Sequence, residues 1–158
     1  MGFRQCNSKP LLCYSYLLFF SPSELRRRTC NFPCLLVSSY DRILALEFGN
    51  KATYAVISNL TFAAALDFHY KLGYIFWSDI KEQNIKRSNL NGTDIIVIHN
   101  DTGECWGLAV EWNSLELYWT DSTNGTLSVS DFQGKNKRIM WSLEVEKPDG
   151  IVLDSNER

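Results

Sequence analysis

Residues 117–121 read Leu117-Tyr118-Trp119-Thr120-Asp121, and residues 75–79 read Ile75-Phe76-Trp77-Ser78-Asp79. The offset from Trp77 to Trp119 recurs around them: Ile85 to Leu127 repeats it, and so does Gly92 to Gly134. Before each Trp a short apolar segment ends in an acid, Ala63-Ala64-Ala65-Leu66-Asp67 and Gly107-Leu108-Ala109-Val110-Glu111. A third segment of this kind is Gly150-Ile151-Val152-Leu153-Asp154, and the three acids keep nearly the same spacing. A fixed period of about 42 residues marks a repeat architecture, in which each unit completes its core against its neighbours.

Every part of the unit reads as a short strand. Ala63–Asp67 and Gly107–Glu111 are brief and apolar, while Tyr74–Ser78 and Leu117–Thr120 are aromatic and β-branched. Asn84–Ser88 and Thr126–Ser130 alternate in polarity, and Thr93–Ile98 and Arg138–Trp141 close the unit. Asn91-Gly92, Asn124-Gly125 and Gln133-Gly134 supply turn residues between them. No stretch carries a helical period. Four short strands per repeat predict an all-β fold, a partial β-propeller. Leu35–Ser39, Arg42–Glu47 and Thr53–Ile57 fit the second, third and fourth strands of an earlier unit, with Ile43 one period before Ile85. Its first, apolar strand is missing from this reading. The expected organisation is a leader or non-domain segment over 1–34 and a propeller piece over 35–154. That piece holds an incomplete blade (35–57), two full blades (63–98 and 107–141) and one further strand (150–154), before a tail at 155–158. This is about two and a half blades, too few to close a ring. A small antiparallel sandwich with similar hairpins is the bland alternative.

Tyr118-Trp119-Thr120-Asp121 and its variant Phe76-Trp77-Ser78-Asp79 resemble the YWTD repeats of low-density-lipoprotein-receptor-type proteins, the class B repeats. Ile85-Lys86-Arg87, Leu90-Asn91-Gly92 and Gly107–Trp112 fit the same repeat, and the resemblance covers 35–154. It implies a piece of a six-bladed propeller, usually followed by an EGF-like module. Val56–Leu60 leading into Ala63–Phe68, and Lys137–Trp141 leading through Leu143 to Pro148, resemble the first propeller of the Wnt co-receptors. That branch implies a membrane-anchored glycoprotein receptor at the extracellular face of the plasma membrane. Its partners would be Wnt proteins or their secreted antagonists. An endocytic receptor for lipoprotein-type ligands is the alternative. Two departures stand out: Glu111 where an Asp is usual, and Cys105-Trp106 where a turn residue and Pro often stand.

The rest of the composition agrees with a single domain. The chain has 158 residues, 45% of them hydrophobic, with 16 Lys+Arg against 18 Asp+Glu. That balance gives no pull toward nucleic acid or anionic lipid. Four of the five cysteines (6, 13, 30, 34) precede residue 35, and the fifth is Cys105. The spacings of the first four, 7, 17 and 4, match no zinc pattern. An odd count leaves at least one thiol unpaired within the chain. The apolar run Leu11–Phe20 is too short to cross a bilayer, which takes about 20 residues. Arg4 and Lys9 before it and Ser21-Pro22-Ser23 after it resemble an export signal, although Arg26-Arg27-Arg28 follows closely.

The chemistry legible here is recognition, not catalysis. There is no Gly-x-Ser-x-Gly elbow and no His-Glu-x-x-His, and the two histidines, His69 and His99, stand far apart in the chain. No catalytic, cofactor or metal residues are expected. Asp67, Asp79, Glu111, Asp121 and Asp154 could suggest calcium, but their spacing is already the repeat's. A metal-dependent propeller hydrolase is the enzymatic alternative. Phe76, Trp77, Ser78, Asp79, Tyr118, Trp119, Thr120 and Asp121 read as scaffold: aromatic area for packing and carboxylates that accept backbone N–H bonds. Glu82, in the polar turn Ile80–Asn84, falls where the Wnt co-receptor propeller has an acidic residue on its ligand-binding top face. Trp106 and Trp141 are further candidate anchors. Asn59-Leu60-Thr61, Asn91-Gly92-Thr93 and Asn124-Gly125-Thr126 are N-glycosylation acceptors, of which the last two fall in expected turns.

Overall fold

A computed structural model describes residues 15–18, 34–49, 51–142 and 147–154. Among these residues, twelve strands lie in three four-stranded antiparallel sheets. Blade 1 holds β1 (Ser15–Leu18), β2 (Cys34–Ser39), β3 (Arg42–Glu47) and β4 (Thr53–Ser58) in that order. Blade 2 holds β5 (Ala63–His69), β6 (Tyr74–Asp79), β7 (Asn84–Asn89) and β8 (Ile96–His99). Blade 3 holds β9 (Leu108–Glu111), β10 (Glu116–Asp121), β11 (Thr126–Asp131) and β12 (Arg138–Ser142). Every sheet is a meander, so short turns suffice between neighbours. The chain is an all-β, partial β-propeller.

Two expectations are corrected. Blade 1 is not short of its first strand: Ser15–Leu18, inside the apolar run read as an export signal, pairs antiparallel with Cys34–Val37. β2 without it would present a row of unpaired backbone groups, and an apolar extended segment satisfies them. The leader assignment for 1–34 therefore fails at 15–18 and at Cys34, and the rest of 1–33 lies outside the described residues. Conversely, 150–154 is not a strand. Hydroxyls of blade 3 hold the segment leading into it: Thr120 Oγ1 donates to the Asp149 carbonyl at 2.7 Å and Ser122 Oγ to the Pro148 carbonyl at 2.5 Å. Among the described residues no sheet continues beyond it.

The repeat is copied in fine detail. Pairing of the third strand with the fourth is interrupted at Ile43/Leu44, Ile85/Lys86 and Leu127/Ser128, the same position in each blade. A bulge there sharpens the twist of the outer strand. Gly92 and Gly134 have φ of 80° and 79°. A Cβ on Gly92 would stand 2.1 Å from the Val56 carbonyl oxygen, and one on Gly134 2.5 Å from that of Ile98. Each turn thus presses on the outer strand of the preceding blade, and only glycine fits.

The core lies between blades. Trp77 packs with Cys34, Leu36, Ile43, Ala45 and Ile57 of blade 1. Phe76, on the opposite face of β6, packs with Leu108, Val110, Leu117, Trp119 and Phe132 of blade 3. Both are fully buried, as is Trp119, whereas Tyr118 on the other face of β10 is only half-buried. Trp77→Ala should therefore open a cavity at the joint of blades 1 and 2. The expected loss is about 3–5 kcal/mol, read as a lower denaturant midpoint. Tyr118→Ala, with no facing blade among the described residues, should cost clearly less.

Candidate functional site: the upper rim

The β2–β3, β6–β7 and β10–β11 turns and the connections between blades all emerge at one end of the strands, here the upper rim. The motif aspartates organise it. Asp79 Oδ1 accepts the N–H groups of Lys81 and Glu82, both at 3.2 Å, closing the β6–β7 turn. Its Oδ2 accepts those of Thr61 and Phe62, at 3.1 and 3.2 Å, in the segment entering blade 2. Asp121 Oδ1 takes the N–H groups of Thr123 and Asn124, both at 2.9 Å, and Oδ2 takes Asn124 Nδ2 at 2.7 Å. The neighbouring hydroxyls tie each blade to the chain that follows it: Ser38 Oγ donates to Ala64 O, Ser78 Oγ to Cys105 O and Thr120 Oγ1 to Asp149 O, each at 2.7 Å.

On this frame three aromatic rings line up across three blades. Tyr40, in the β2–β3 turn, lies 4.8 Å from Phe62, and Phe62 lies 5.8 Å edge-on from Trp106. Lys81, from the β6–β7 turn, hydrogen-bonds the Tyr40 hydroxyl and stands 4.9 Å from its ring centre. Beside it, Glu82 accepts Thr61 Oγ1 at 2.6 Å on one oxygen, and Lys86 Nζ at 2.6 Å and Asn84 Nδ2 at 3.0 Å on the other. The Lys86 bond foremost, then those from Thr61 and Asn84, hold the Glu82 carboxyl at about 2. It is charged at every physiological pH and already engaged by its own chain. The structure thus brings Glu82 and Trp106 to one rim. It places Trp141 elsewhere, exposed on β12, the outermost strand of blade 3. Tyr40, Phe62 and Lys81 were not singled out from the sequence. Phe62 was findable, because it and Trp106 both immediately precede the apolar segment that opens a blade.

Four of the acids that suggested calcium, Asp67, Asp79, Glu111 and Asp121, accept backbone N–H groups of the scaffold. Asp67 Oδ2 accepts Val110 N–H of blade 3 at 2.7 Å and Oδ1 accepts Phe68 N–H at 2.8 Å. Its equivalent Glu111 instead folds onto the turn after β9, accepting Asn113 and Ser114 N–H at 2.8 and 2.5 Å. Asp67 meets the first strand of the next blade, whereas no strand of a further blade faces Glu111 among the described residues. Among the described residues no three His, Cys, Asp or Glu side chains gather as metal ligands. Burial pushes the Cys105 thiol up to about 12, so it is an inert core residue.

Both histidines bridge blades 2 and 3 instead of forming a site. His69 Nδ1 accepts Leu72 N–H at 3.1 Å, so Nε2 carries the proton and donates to the Trp112 carbonyl at 3.1 Å. Ser130 Oγ gives its proton to Asp131 O, so His99 Nε2 donates to Ser130 Oγ at 2.7 Å.

Residues 116–155 match the sequence profile of the Low-density lipoprotein receptor repeat class B family. This segment is similar to a class B repeat. It starts at β10 and runs through the segment at 150–154, so the repeat in sequence is offset from the blade in space. The chain is 32% identical over 102 residues to Low-density lipoprotein receptor-related protein 5 of Mus musculus, an alignment covering 63% of this chain and 6% of that protein. The chain therefore spans a small part of that relative. In three dimensions it is similar to a chain of a nidogen–laminin complex, with a TM-score of 0.74 at 20% identity, covering 88% of this chain and 52% of the other. It also superposes on a streptogramin B lyase with a TM-score of 0.64 at 12% identity, covering 78% of this chain and 42% of that one. These two similarities establish fold. The sequence matches are to a receptor-type repeat and a receptor-related protein.

The joint between blades 2 and 3 predicts opposed responses to acid. Burial, then the nearby Lys137 against the weaker pull of Asp131, lowers His99 to about 4 from an ordinary 6.5. Its stabilisation is complete above pH 6.5 and is lost as pH falls toward 4. Burial raises Asp67 to about 6 from 3.8, against the two N–H bonds it accepts. That contribution grows as pH falls from 6 toward 3.8. His99→Gln should make the chain gain relative stability between pH 6.5 and 4, and Asp67→Asn should make it lose stability more steeply than the parent. Denaturant midpoints measured across that range distinguish the two slopes.

Proposed function

We propose that this chain is part of a non-catalytic, extracellular ligand-binding module of a low-density-lipoprotein-receptor-related protein, of the Wnt co-receptor kind. The observation that carries it is the Tyr40–Phe62–Trp106 ridge, flanked by Lys81 and Glu82. Rings from separate blades form one continuous apolar strip, with a cation and a fixed carboxylate at its side. Such a combination suits a protein loop, offering aromatic anchors and charges that set orientation. The disulfide at Cys34 supports an oxidising, extracellular setting. Similarity to a receptor-related protein supports the receptor class. The carboxylates of Asp67, Asp79, Glu111 and Asp121 serve backbone amides, which favours recognition over a metal-dependent hydrolase.

Binding of a Wnt protein or a secreted Wnt antagonist to the immobilised chain tests this reading. Tyr40→Ala and Trp106→Ala should each weaken binding by about tenfold or more, equivalent to about 1.4 kcal/mol. Trp141→Ala, away from the ridge, should change it little. Binding of lipoprotein particles in place of both Wnt-pathway ligands would favour an endocytic receptor. Equal binding by the Tyr40 and Trp106 variants would remove the ridge as the site.

A further inference from the structure

We propose that Asn59 carries an N-linked glycan that stands beside the upper-rim ridge and limits access to it. What the ridge binds rests on the receptor reading above; the modification and its shielding effect do not.

The three acceptor sequences are unequal in the fold. Asn124 lies inside the Asp121 turn, and its Nδ2 already donates to Asp121 Oδ2 at 2.7 Å. Asn91 is at the opposite, lower end, where its Oδ1 accepts Thr93 N–H at 3.1 Å and Thr93 Oγ1 at 2.7 Å. Asn59 is exposed in the connection from β4 to β5, and its amide forms no hydrogen bond among the described residues. Its backbone sits at φ 61°, a left-handed conformation that asparagine tolerates better than most residues. Position is what distinguishes it. Leu60 N–H donates to Asp41 O at 2.8 Å and Ala63 N–H to Tyr40 O at 3.1 Å. Thr61 and Phe62 are pinned by Asp79, and the Thr61 hydroxyl by Glu82. The acceptor asparagine is thus held one residue from the partner of Asp41 and three from Phe62. A bulky, hydrated sugar chain there would overhang Tyr40 and Phe62.

The co-reactant is an oligosaccharide linked to a lipid pyrophosphate. Asn59 Nδ2 forms a bond to the anomeric carbon as the bond from that carbon to the pyrophosphate oxygen breaks. The amide gives up one proton, the lipid pyrophosphate leaves with the electron pair, and no oxidation state changes. Hydroxylated Thr61 supplies the required third position.

The chain is expressed into the secretory pathway of cultured animal cells, and occupancy is read by mass spectrometry of the Asn59 peptide, whether or not the protein leaves the cell. Hydroxyl-radical labelling of Tyr40 then measures access, with Trp141 as a distant reference. Asn59 should be occupied, and Tyr40 should label roughly twofold more slowly than after enzymatic glycan removal, with Trp141 unchanged. Asn59→Gly, compatible with the backbone angle, should match the deglycosylated rate, and Thr61→Ser should keep the glycan. An unmodified Asn59 alongside a modified Asn91 would overturn the proposal, as would an occupied Asn59 with the same Tyr40 rate before and after removal. Neither readout uses a protein ligand, so failure of the receptor reading would be seen separately.

Discussion

Phe76 and Trp77 are adjacent in β6 and point to opposite faces of one sheet, and both are fully buried. A four-stranded sheet cannot do this alone. It needs a second sheet on each side, and blades 1 and 3 supply them. Large rings on both faces therefore dictate a row of sheets stacked face to face, with the core in the joints. Tyr118 shows the same constraint from the other side: it occupies the Phe76 position in blade 3, and without a facing blade among the described residues it remains partly open.

The polar half of the motif fixes the geometry that the rings leave free. Apolar contact is non-directional and would allow blades to slide or splay. The hydroxyls of Ser38 and Ser78 reach the chain at the start of the next blade, that of Thr120 reaches the segment after blade 3, and Asp79 holds both its own turn and the preceding connection. Asp67, His69 and His99 add directional bonds between blades 2 and 3. Every one of these groups could look functional in isolation. In the fold each of them has a backbone or hydroxyl partner.

Because every blade's entry and the turn between its second and third strands share one end, residues far apart in sequence converge there. Tyr40 comes from a hairpin turn and Phe62 and Trp106 from two connections between blades, yet they form one strip. Glu82 is held by three donors and so presents a carboxylate of fixed direction, not a mobile charge. The same convergence brings Asn59 beside the strip.

Sequence alone determined the strands, their order within a blade and the identity of the repeat, because a recurring spacing with alternating polarity is a local property. The YWTD-type motif also announced its own structural role, since Trp and Asp recurring at fixed spacing must occupy equivalent places. Glu82 was singled out through the family resemblance and Trp106 as a candidate aromatic anchor, without the contacts that bring both to one rim. What the sequence could not supply depends on contacts between distant segments. The pairing of Ser15–Leu18 with β2 was hidden because an apolar run reads equally as an export signal or a strand, and only an open sheet edge decides. The lack of a strand at 150–154 was hidden for the converse reason: a strand needs a partner, and none follows among the described residues. Tyr40 and Lys81 are unremarkable by type and distant in the chain, and only the stacking of one blade on the next makes them neighbours.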